Sequence, residues 1–157
     1  MRRVHAGLFV ALFVVGACAP KPPDERKEQP VDDRAAAPGT TTDALWGTAW
    51  LLEDLAGTGV IDRVEATLEF IEPGKIGGRG SCNHFFGGVE LAGRSIVISG
   101  LGSTRMACEE AVNEQEGRYF AALEAAQRFE LDGDVLRIYL HDREEPLRFT
   151  RHLPVGE

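Results

Sequence analysis

Cysteine and histidine side chains in the central part of the chain are the groups best suited to covalent or metal chemistry. Cys82 and Cys108 stand near the two ends of a glycine-rich stretch, and His84 lies close to the first of them. A zinc site of the finger type needs a second Cys-His pair at short spacing, and the remaining downstream histidines lie far along the chain. We therefore expect no metal ion and no other cofactor.

A hydrolase would need a nucleophile beside a general base, and the same region supplies the candidates. They are Asn83, His84, Ser103, Thr104, Arg105 and Glu116. A nucleophile at Ser103 or Ser81 would need a base beside it, and His84 is the only histidine in that stretch. Because these residues form no recognisable constellation, the sequence favours a protein that is not an enzyme.

The same polar residues have simpler structural roles. Asn83 can satisfy backbone groups at a glycine bend, and residues 103–104 can cap a helix or form a turn before it. Arg105 can pair with Glu116 or with another carboxylate. His84 stands next to two phenylalanines and is expected at the surface or rim of the domain.

The N-terminus has the pattern of an export signal. Residues 1–3 carry two arginines, and residues 6–17 are almost wholly apolar but too few to span a membrane as a helix. The segment ends in VGAC, which resembles the lipobox of bacterial lipoproteins, so residues 1–17 are expected to be removed and Cys18 to carry a lipid anchor. Ala19 then points to the outer membrane of a Gram-negative host, facing the periplasm. The alternative is an ordinary secretory signal with an incidental cysteine.

Composition divides the rest of the chain into a linker and one domain. Residues 18–43 are rich in proline, charge and small residues and cannot bury enough apolar surface to fold, so a disordered tether is expected. Residues 44–157 suffice for one compact domain. The chain has 17 Lys+Arg against 25 Asp+Glu and a formal net charge of −8. This charge argues against nucleic acid as a partner, and membrane association is expected to come from the acyl anchor.

An exported protein folds in an oxidising compartment, which bears on the two cysteines of the domain. With Cys18 lipidated, Cys82 and Cys108 are the two that remain, and we expect a disulfide between them. A bonded sulfur cannot act as a nucleophile, so this pairing also argues against a cysteine-based enzyme.

Hydrophobic periodicity predicts about seven short strands and one helix. The predicted strands cover residues 45–52, 64–70, a segment from 76, 89–91, 95–98, the hairpin 129–139 and 147–150. From Glu109 the period changes to that of a helix. Trp50 is expected in the core, Phe85 and Phe86 as buried strand residues, and residues 87–88 as a bend.

Five segments together resemble a known family. They are GSCNHFFGGVEL, GLGSTRMAC, a helix containing Glu116 and Phe120, DGDVLRIY and PLRFTR. Their order and spacing resemble the META/HslJ-like domain of the heat-shock protein HslJ family, over about residues 45–151. The resemblance implies a mainly β (α+β) fold, a small antiparallel and incompletely closed β-barrel with one α-helix packed on it. It names no reaction.

An incompletely closed barrel would leave an apolar crevice between its sheet and its helix. An acyl chain, a hydrophobic peptide or a partner strand could lodge there, near Phe85, Phe86, Met106 and Phe120. The candidate partner-binding residues are Asn83, His84, Phe85, Phe86, Arg105 and Met106.

The expected function is that of a non-enzymatic envelope lipoprotein. It is expected to bind an envelope protein or an acyl-chain ligand, and the resemblance implies a link to envelope stress tolerance. The alternative is a periplasmic inhibitor of a hydrolase such as lysozyme, in which a disulfide-stapled barrel inserts a loop into the enzyme.

Overall fold

The computed structural model describes residues 42–153. The predicted signal peptide, the predicted lipidation site Cys18 and the predicted linker up to residue 41 lie outside the described residues, as do residues 154–157. The described part opens with a short 3₁₀ helix, Asp43–Leu45, and a single α-helix, α1, lies between the fifth and sixth of its eight strands. The elements are β1 Thr48–Leu55, β2 Thr67–Glu72, β3 Lys75–Arg79, β4 His84–Ala92, β5 Ser95–Ser103, α1 Glu110–Glu124, β6 Ala126–Asp132, β7 Val135–Leu140 and β8 Leu147–His152.

The eight strands form a closed antiparallel barrel in which each strand pairs with its neighbours in sequence. β1 and β8 close the barrel, in a register that runs from Ala49 opposite His152 to Leu55 opposite Leu147. The prediction of an incompletely closed barrel is therefore wrong. The physical reason is the length of β8, which continues to His152 and gives almost all of β1 a partner, so the two edges that a sheet would otherwise expose are paired.

The junction between β5 and β6 is narrow. Ser95 stands opposite Arg128, and the Phe129 N–H donates to the Arg94 carbonyl at 2.8 Å. Beyond this point β5 continues to Ser103, while the chain that leads into β6 comes from α1. The barrel is thus closed by a long pairing between β1 and β8, and by a short pairing between β5 and β6 beside the helix.

Alternating side chains of the strands fill the barrel. The bulkiest fully buried side chains are Trp50, Tyr119, Phe70, Phe129 and Phe149. The predicted inward position of Trp50 is confirmed, and its indole N–H donates to the Thr48 hydroxyl at 2.7 Å. Trp46 is half-buried and meets Phe70 edge to face, with 6.0 Å between the ring centroids.

Helix α1 begins at Glu110, as the change of period at Glu109 predicts. Its buried face consists of Gln115, Glu116, Tyr119, Ala122 and Leu123. The Tyr119 hydroxyl donates to the Thr67 carbonyl of β2 at 3.1 Å, and complete burial raises the pKa of this phenol well above its ordinary value. No helix in residues 42–153 is both long and apolar enough to cross a membrane.

The glycine pair at residues 87–88 lies inside β4 and is not the predicted bend. The register between β4 and β5 shifts there, between Phe86 and Gly88. A Cβ atom on Gly87 would lie 2.6 Å from the Leu101 Cδ2 atom, so glycine is needed for close approach of β5 and not for a chain reversal. Because the strand continues, Phe85 points inward and Phe86 outward, and the prediction that both are buried is wrong for Phe86.

Candidate binding site

The buried carboxylate of Glu116 organises the turn between β3 and β4. One oxygen, Oε2, accepts hydrogen bonds from the backbone N–H groups of Cys82 at 3.0 Å and Asn83 at 2.6 Å. The other, Oε1, accepts from the Asn83 side-chain amide at 2.7 Å. This arrangement replaces the predicted pairing of Glu116 with Arg105, whose side chain is exposed and has no carboxylate within ion-pair distance among residues 42–153.

Asn83 joins this carboxylate to the segment that follows β5. Its Oδ1 atom accepts from the Thr104 hydroxyl at 3.0 Å and from the Met106 backbone N–H at 2.7 Å. The prediction that Asn83 satisfies backbone groups is confirmed for one group, the Met106 N–H, which lies after β5 and not at the glycine bend. Every fully buried side-chain nitrogen or oxygen in the described part of the chain has a hydrogen-bond partner, so this polar network is complete.

Thr104 extends the pairing of β4 with β5 and does not cap the helix. Its backbone N–H donates to the His84 carbonyl at 3.0 Å, and its hydroxyl accepts from the His84 N–H at 3.2 Å. The N-cap of α1 is Glu109, which makes no side-chain capping bond. The prediction that residues 103–104 cap the helix or form a turn before it is therefore wrong, because Ser103 ends β5 and Thr104 extends its pairing with β4.

The predicted disulfide between Cys82 and Cys108 is present. It connects the β3–β4 turn, where Cys82 is buried, to the residue before the N-cap of α1. Residues 104–109 are thus held at one end by the bonds of Thr104 and at the other by a covalent link. The segment is exposed to solvent but fixed to the barrel.

The six predicted partner-binding residues divide into two groups. Asn83 and Phe85 are buried, and Phe85 packs edge to face against Phe120 and Tyr119, with ring centroids 5.3 and 6.0 Å apart. These three rings fill the crevice that was expected between sheet and helix. The side chains that remain available to a partner are His84, Phe86, Arg105 and Met106, which we call the Phe86 face.

Phe86 is the prominent apolar side chain of this face, since 66% of it is exposed. It stands opposite Gly77 of β3 and Gly102 of β5. A Cβ on Gly102 would lie 2.8 Å from the Phe86 Cζ atom, so the ring lies across a strand that has no side chain at that point. Ile71 covers Gly77 in the same way, with its Cδ1 atom 3.2 Å from the position of a Cβ.

Ile71 also lines a shallow cleft of about 330 Å³, on the side of β2 that faces β1. Its lining residues come from the start of β1, the end of β2 and the end of β8, and include Ala49, Glu69, Ile71, His152 and Leu153. Ile71 therefore connects the cleft to the glycine beside Phe86.

The hydrolase candidates Ser103 and His84 lie near each other at the ends of paired strands. Ser103 stands opposite Phe85, and the residue after it bonds to His84 through backbone and hydroxyl groups. Both side chains are exposed. Residues 42–153 contain no group of three or more His, Cys, Asp or Glu side chains placed to hold a metal ion.

Sequence reasoning did not identify Arg79 or Ile71 as neighbours of this face. Arg79 stands opposite His84 across β3 and β4, and it is exposed. Alternation along β3 indicates on which side of the sheet Arg79 lies. The residue of β4 that it faces depends on the length of the β3–β4 turn, and the glycines in this part of the sequence obscure where that turn begins and ends.

Comparison with known proteins places the chain in a family. The META domain model matches residues 43–152. An NMR structure of a protein from Burkholderia xenovorans is 26% identical, with a TM-score of 0.59, and the match covers 71% of this chain and 86% of that one. A second NMR structure is 25% identical with a TM-score of 0.57, and the match covers 70% of this chain and 93% of that one.

A crystal structure of a DUF4847 family protein from Bacteroides vulgatus shares the fold, with a TM-score of 0.50 at 14% identity, over 69% of this chain and 94% of that one. No curated protein matches the chain. The family model spans every strand and the helix of the barrel described above. The chain therefore belongs to the META domain family.

Proposed function

We propose that this META domain is a non-catalytic binding module of an envelope lipoprotein and that it contacts an envelope protein through the Phe86 face. The observation that carries the proposal is Phe86 itself, a large aromatic side chain that is 66% exposed on a rigid sheet. Aromatic residues, phenylalanine among them, are enriched in the buried core of protein interfaces relative to the rest of the surface. Met106, 56% exposed, adds a second adaptable apolar side chain.

The hydrogen bonds around Asn83 support the same proposal. They hold the backbone at His84 and Met106, and hence at Arg105 between Thr104 and Met106, before any partner arrives. Binding to a preorganised surface avoids the entropy that would otherwise be lost when loops become ordered. A protein partner is favoured over an acyl chain because Phe85, Tyr119 and Phe120 occupy the interior space beside the helix.

The cellular setting of the proposal rests on the sequence. The lipobox-like VGAC and the apolar run before it support a lipid anchor on Cys18 and a place at the outer membrane, facing the periplasm. A role in envelope stress tolerance would follow from the partner that the domain binds.

Site-specific photocrosslinking in intact envelopes tests the proposal. A benzophenone amino acid is placed at Phe86 and, as a control, at Glu144, which is exposed in the connection between β7 and β8. We expect a discrete protein adduct from position 86 and none from position 144. Equal labelling from both positions, or no adduct from position 86, would reject binding through this face.

The alternative function, inhibition of a hydrolase such as lysozyme, has one specific observation in its favour. Residues 104–109 form an exposed segment that Thr104 and the Cys82–Cys108 disulfide hold in place, as inhibitory loops require. An inhibitor would abolish lysozyme activity at a nearly equimolar ratio, and Arg105→Ala would weaken that effect. Full lysozyme activity in the presence of excess protein would eliminate this alternative.

A further inference from the structure

We infer that Met106 is an oxidation site of this domain and that conversion of its thioether to a sulfoxide weakens partner binding at the Phe86 face. The inference rests on the proposed function and adds regulation by oxidants to it. Three observations carry it: the exposure of Met106, the lack of a competing thiol or thioether in residues 42–153, and the fixed backbone beneath its side chain.

The sulfur atoms of the described chain fall into two classes. Residues 42–153 contain two cysteines and one methionine. Cys82 and Cys108 are joined in the disulfide, so neither offers a thiolate, which is the form of cysteine that oxidants attack. Met106 therefore carries the only reduced sulfur in this part of the chain.

Exposure makes the Met106 thioether available to an oxidant in solution. The residue is 56% exposed, whereas Cys82, whose sulfur lies 3.6 Å from the Met106 carbonyl oxygen, is 1% exposed. The tryptophans are the next side chains that strong oxidants attack. Trp50 is fully buried and Trp46 is half-buried. An oxidant that arrives from solvent therefore reaches Met106 more readily than the other sensitive groups.

The backbone of Met106 is held in one place. Its N–H donates to the Asn83 Oδ1 atom at 2.7 Å, and the Asn83 amide is in turn bonded to the buried Glu116 carboxylate. Further along the segment, Cys108 is tied to the β3–β4 turn by the disulfide. Oxidation of the side chain therefore leaves the segment where it is and changes only the chemistry of the surface that it presents.

The reaction transfers one oxygen atom from a two-electron oxidant to the Met106 sulfur. With hypochlorous acid, the sulfur supplies an electron pair to form the S–O bond, the O–Cl bond breaks, and chloride and a proton are released. Hydrogen peroxide reacts in the same way and leaves water. The product is an uncharged but polar sulfoxide, which methionine sulfoxide reductases convert back to the thioether.

The sulfoxide changes what Met106 can contribute to an interface. The thioether is apolar and adapts its shape to a partner. A sulfoxide oxygen that a partner covers without donating a hydrogen bond becomes an unsatisfied buried acceptor, which lowers affinity by about tenfold or more. Met106 is one of the four side chains of the Phe86 face, so an oxidising environment weakens binding there and reduction restores it.

Peptide mapping of the full chain tests the oxidation step. The purified protein is treated with limiting hypochlorous acid, digested and analysed by mass spectrometry. We expect addition of one oxygen atom to the peptide that contains Met106, an intact Cys82–Cys108 bond, and unmodified Trp46 and Trp50. An unmodified Met106, under conditions that convert an added methionine-containing reference peptide to its sulfoxide, would overturn the inference.

Photocrosslinking from position 86 in intact envelopes tests the effect on binding. The adduct yield before and after hypochlorous acid is compared in chains with Met106 and with Met106→Leu, which keeps an apolar side chain of similar size but has no sulfur. We expect a several-fold loss of adduct with methionine, recovery after treatment with methionine sulfoxide reductases, and no loss with leucine. The polar variant Met106→Gln should reduce the yield without any oxidant.

The outcomes separate this inference from the proposed function. No adduct from position 86 before oxidation would reject the proposed function, and the regulation with it. An adduct at full yield after complete oxidation of Met106 would overturn the regulation and leave binding through the Phe86 face intact. Equal losses with methionine and leucine at position 106 would place the oxidised group on the partner, and would also overturn the inference.

Discussion

The Glu116 carboxylate is buried, and it is paired with hydrogen-bond donors of the β3–β4 turn and not with a positively charged side chain. Two backbone N–H groups and one side-chain amide approach its two oxygens. An ionised carboxylate that accepts several such bonds can remain buried, because charge-assisted hydrogen bonds are stronger than neutral ones. The same bonds align Asn83, so a residue of the helix determines where the segment after β5 lies.

Replacing Glu116 should therefore destabilise the whole domain. Glu116→Ala leaves buried donors on Cys82 and Asn83 without an acceptor, and we expect the free energy of unfolding to fall by about 3 kcal/mol. Urea denaturation monitored by circular dichroism measures it. Glu114→Ala, on the exposed side of the same helix, should change it by only a few tenths of a kcal/mol. Equal effects from the two substitutions would show that the hydrogen bonds add no stability.

Tyr119 gives a second prediction at this scale, because its hydroxyl is completely buried. Burial raises the pKa of Tyr119 in the folded state well above the value of 10.0 of an exposed tyrosine. The folded chain then keeps the phenol proton that the unfolded chain releases, so the stabilisation is complete below pH 10.0 and decreases as the pH rises above it.

The measurement compares wild type with Tyr119→Phe on both sides of pH 10.0. Below it, the variant should be less stable by about 1 kcal/mol, since the hydrogen bond to the Thr67 carbonyl is lost. Above it, the wild type should lose more stability than the variant. Parallel curves throughout would mean that Tyr119 does not resist ionisation in the folded state.

Among the elements, β4 shows most clearly how a strand can be misread. Its two adjacent glycines suggest a turn, but Gly87 admits Leu101 of β5 and the strand continues to Ala92. The consequence is the outward position of Phe86. One feature of packing between strands therefore decides whether the proposed binding residue is in the core or on the surface.

Substitution by alanine should destabilise the domain at Gly87 but not at Gly88. Gly87→Ala would place a Cβ 2.6 Å from Leu101 and 3.2 Å from the Ser99 carbonyl, so we expect a loss of about 1–3 kcal/mol. Gly88→Ala is the matched control, since its nearest neighbour would be 3.5 Å away, and it should be tolerated. Thermal unfolding of both variants measures the difference. A Gly87→Ala variant with the melting temperature of the wild type would show that close approach of Leu101 is not the reason for the glycine.

The sequence was sufficient to predict elements with a strong local pattern. The hairpin with the Asp-Gly turn between β6 and β7 and the start of α1 lie where the sequence pattern places them, and the strand around Leu68 and Phe70 is present but covers Thr67–Glu72 in place of the predicted 64–70. The exposed position of Phe86, the partners of Glu116 and the closure by β8 were not predicted. Each of these depends on the register between strands or on contacts between distant residues, which local periodicity does not encode.

At the scale of the whole molecule, the disulfide and the β1–β8 pairing tie together parts of the chain that are distant in sequence. Cys82 and Cys108 are 26 residues apart, and the bond between them links the β3–β4 turn to the helix that precedes β6. The barrel has a long terminal junction and a narrow one beside the helix. The covalent link lies on the helix side, where pairing between strands is shorter.

Removing the disulfide should lower global stability and loosen residues 104–109. A loop of this length corresponds to about 3 kcal/mol in the chain-entropy model. We expect the double variant Cys82→Ser, Cys108→Ser to lose roughly that amount in urea denaturation, and hydrogen exchange to increase first at residues 104–109. A reducing agent should reproduce both effects in the wild type and neither in the variant. No change in stability on reduction would contradict this role.

The pairing of Ala49 with His152 also has a consequence for engineering the domain. It brings the two described ends of the chain together, and Gly47 and Leu153 line the same cleft. Chain ends that lie side by side favour circular permutation. A short linker could join them, with new termini opened at the tight β4–β5 turn, where Gly93 has a positive φ of 59°. A permutant attached to a support through its new termini would be held at the β4–β5 turn and not at the junction of β1 and β8. A different surface of the barrel would then face the support.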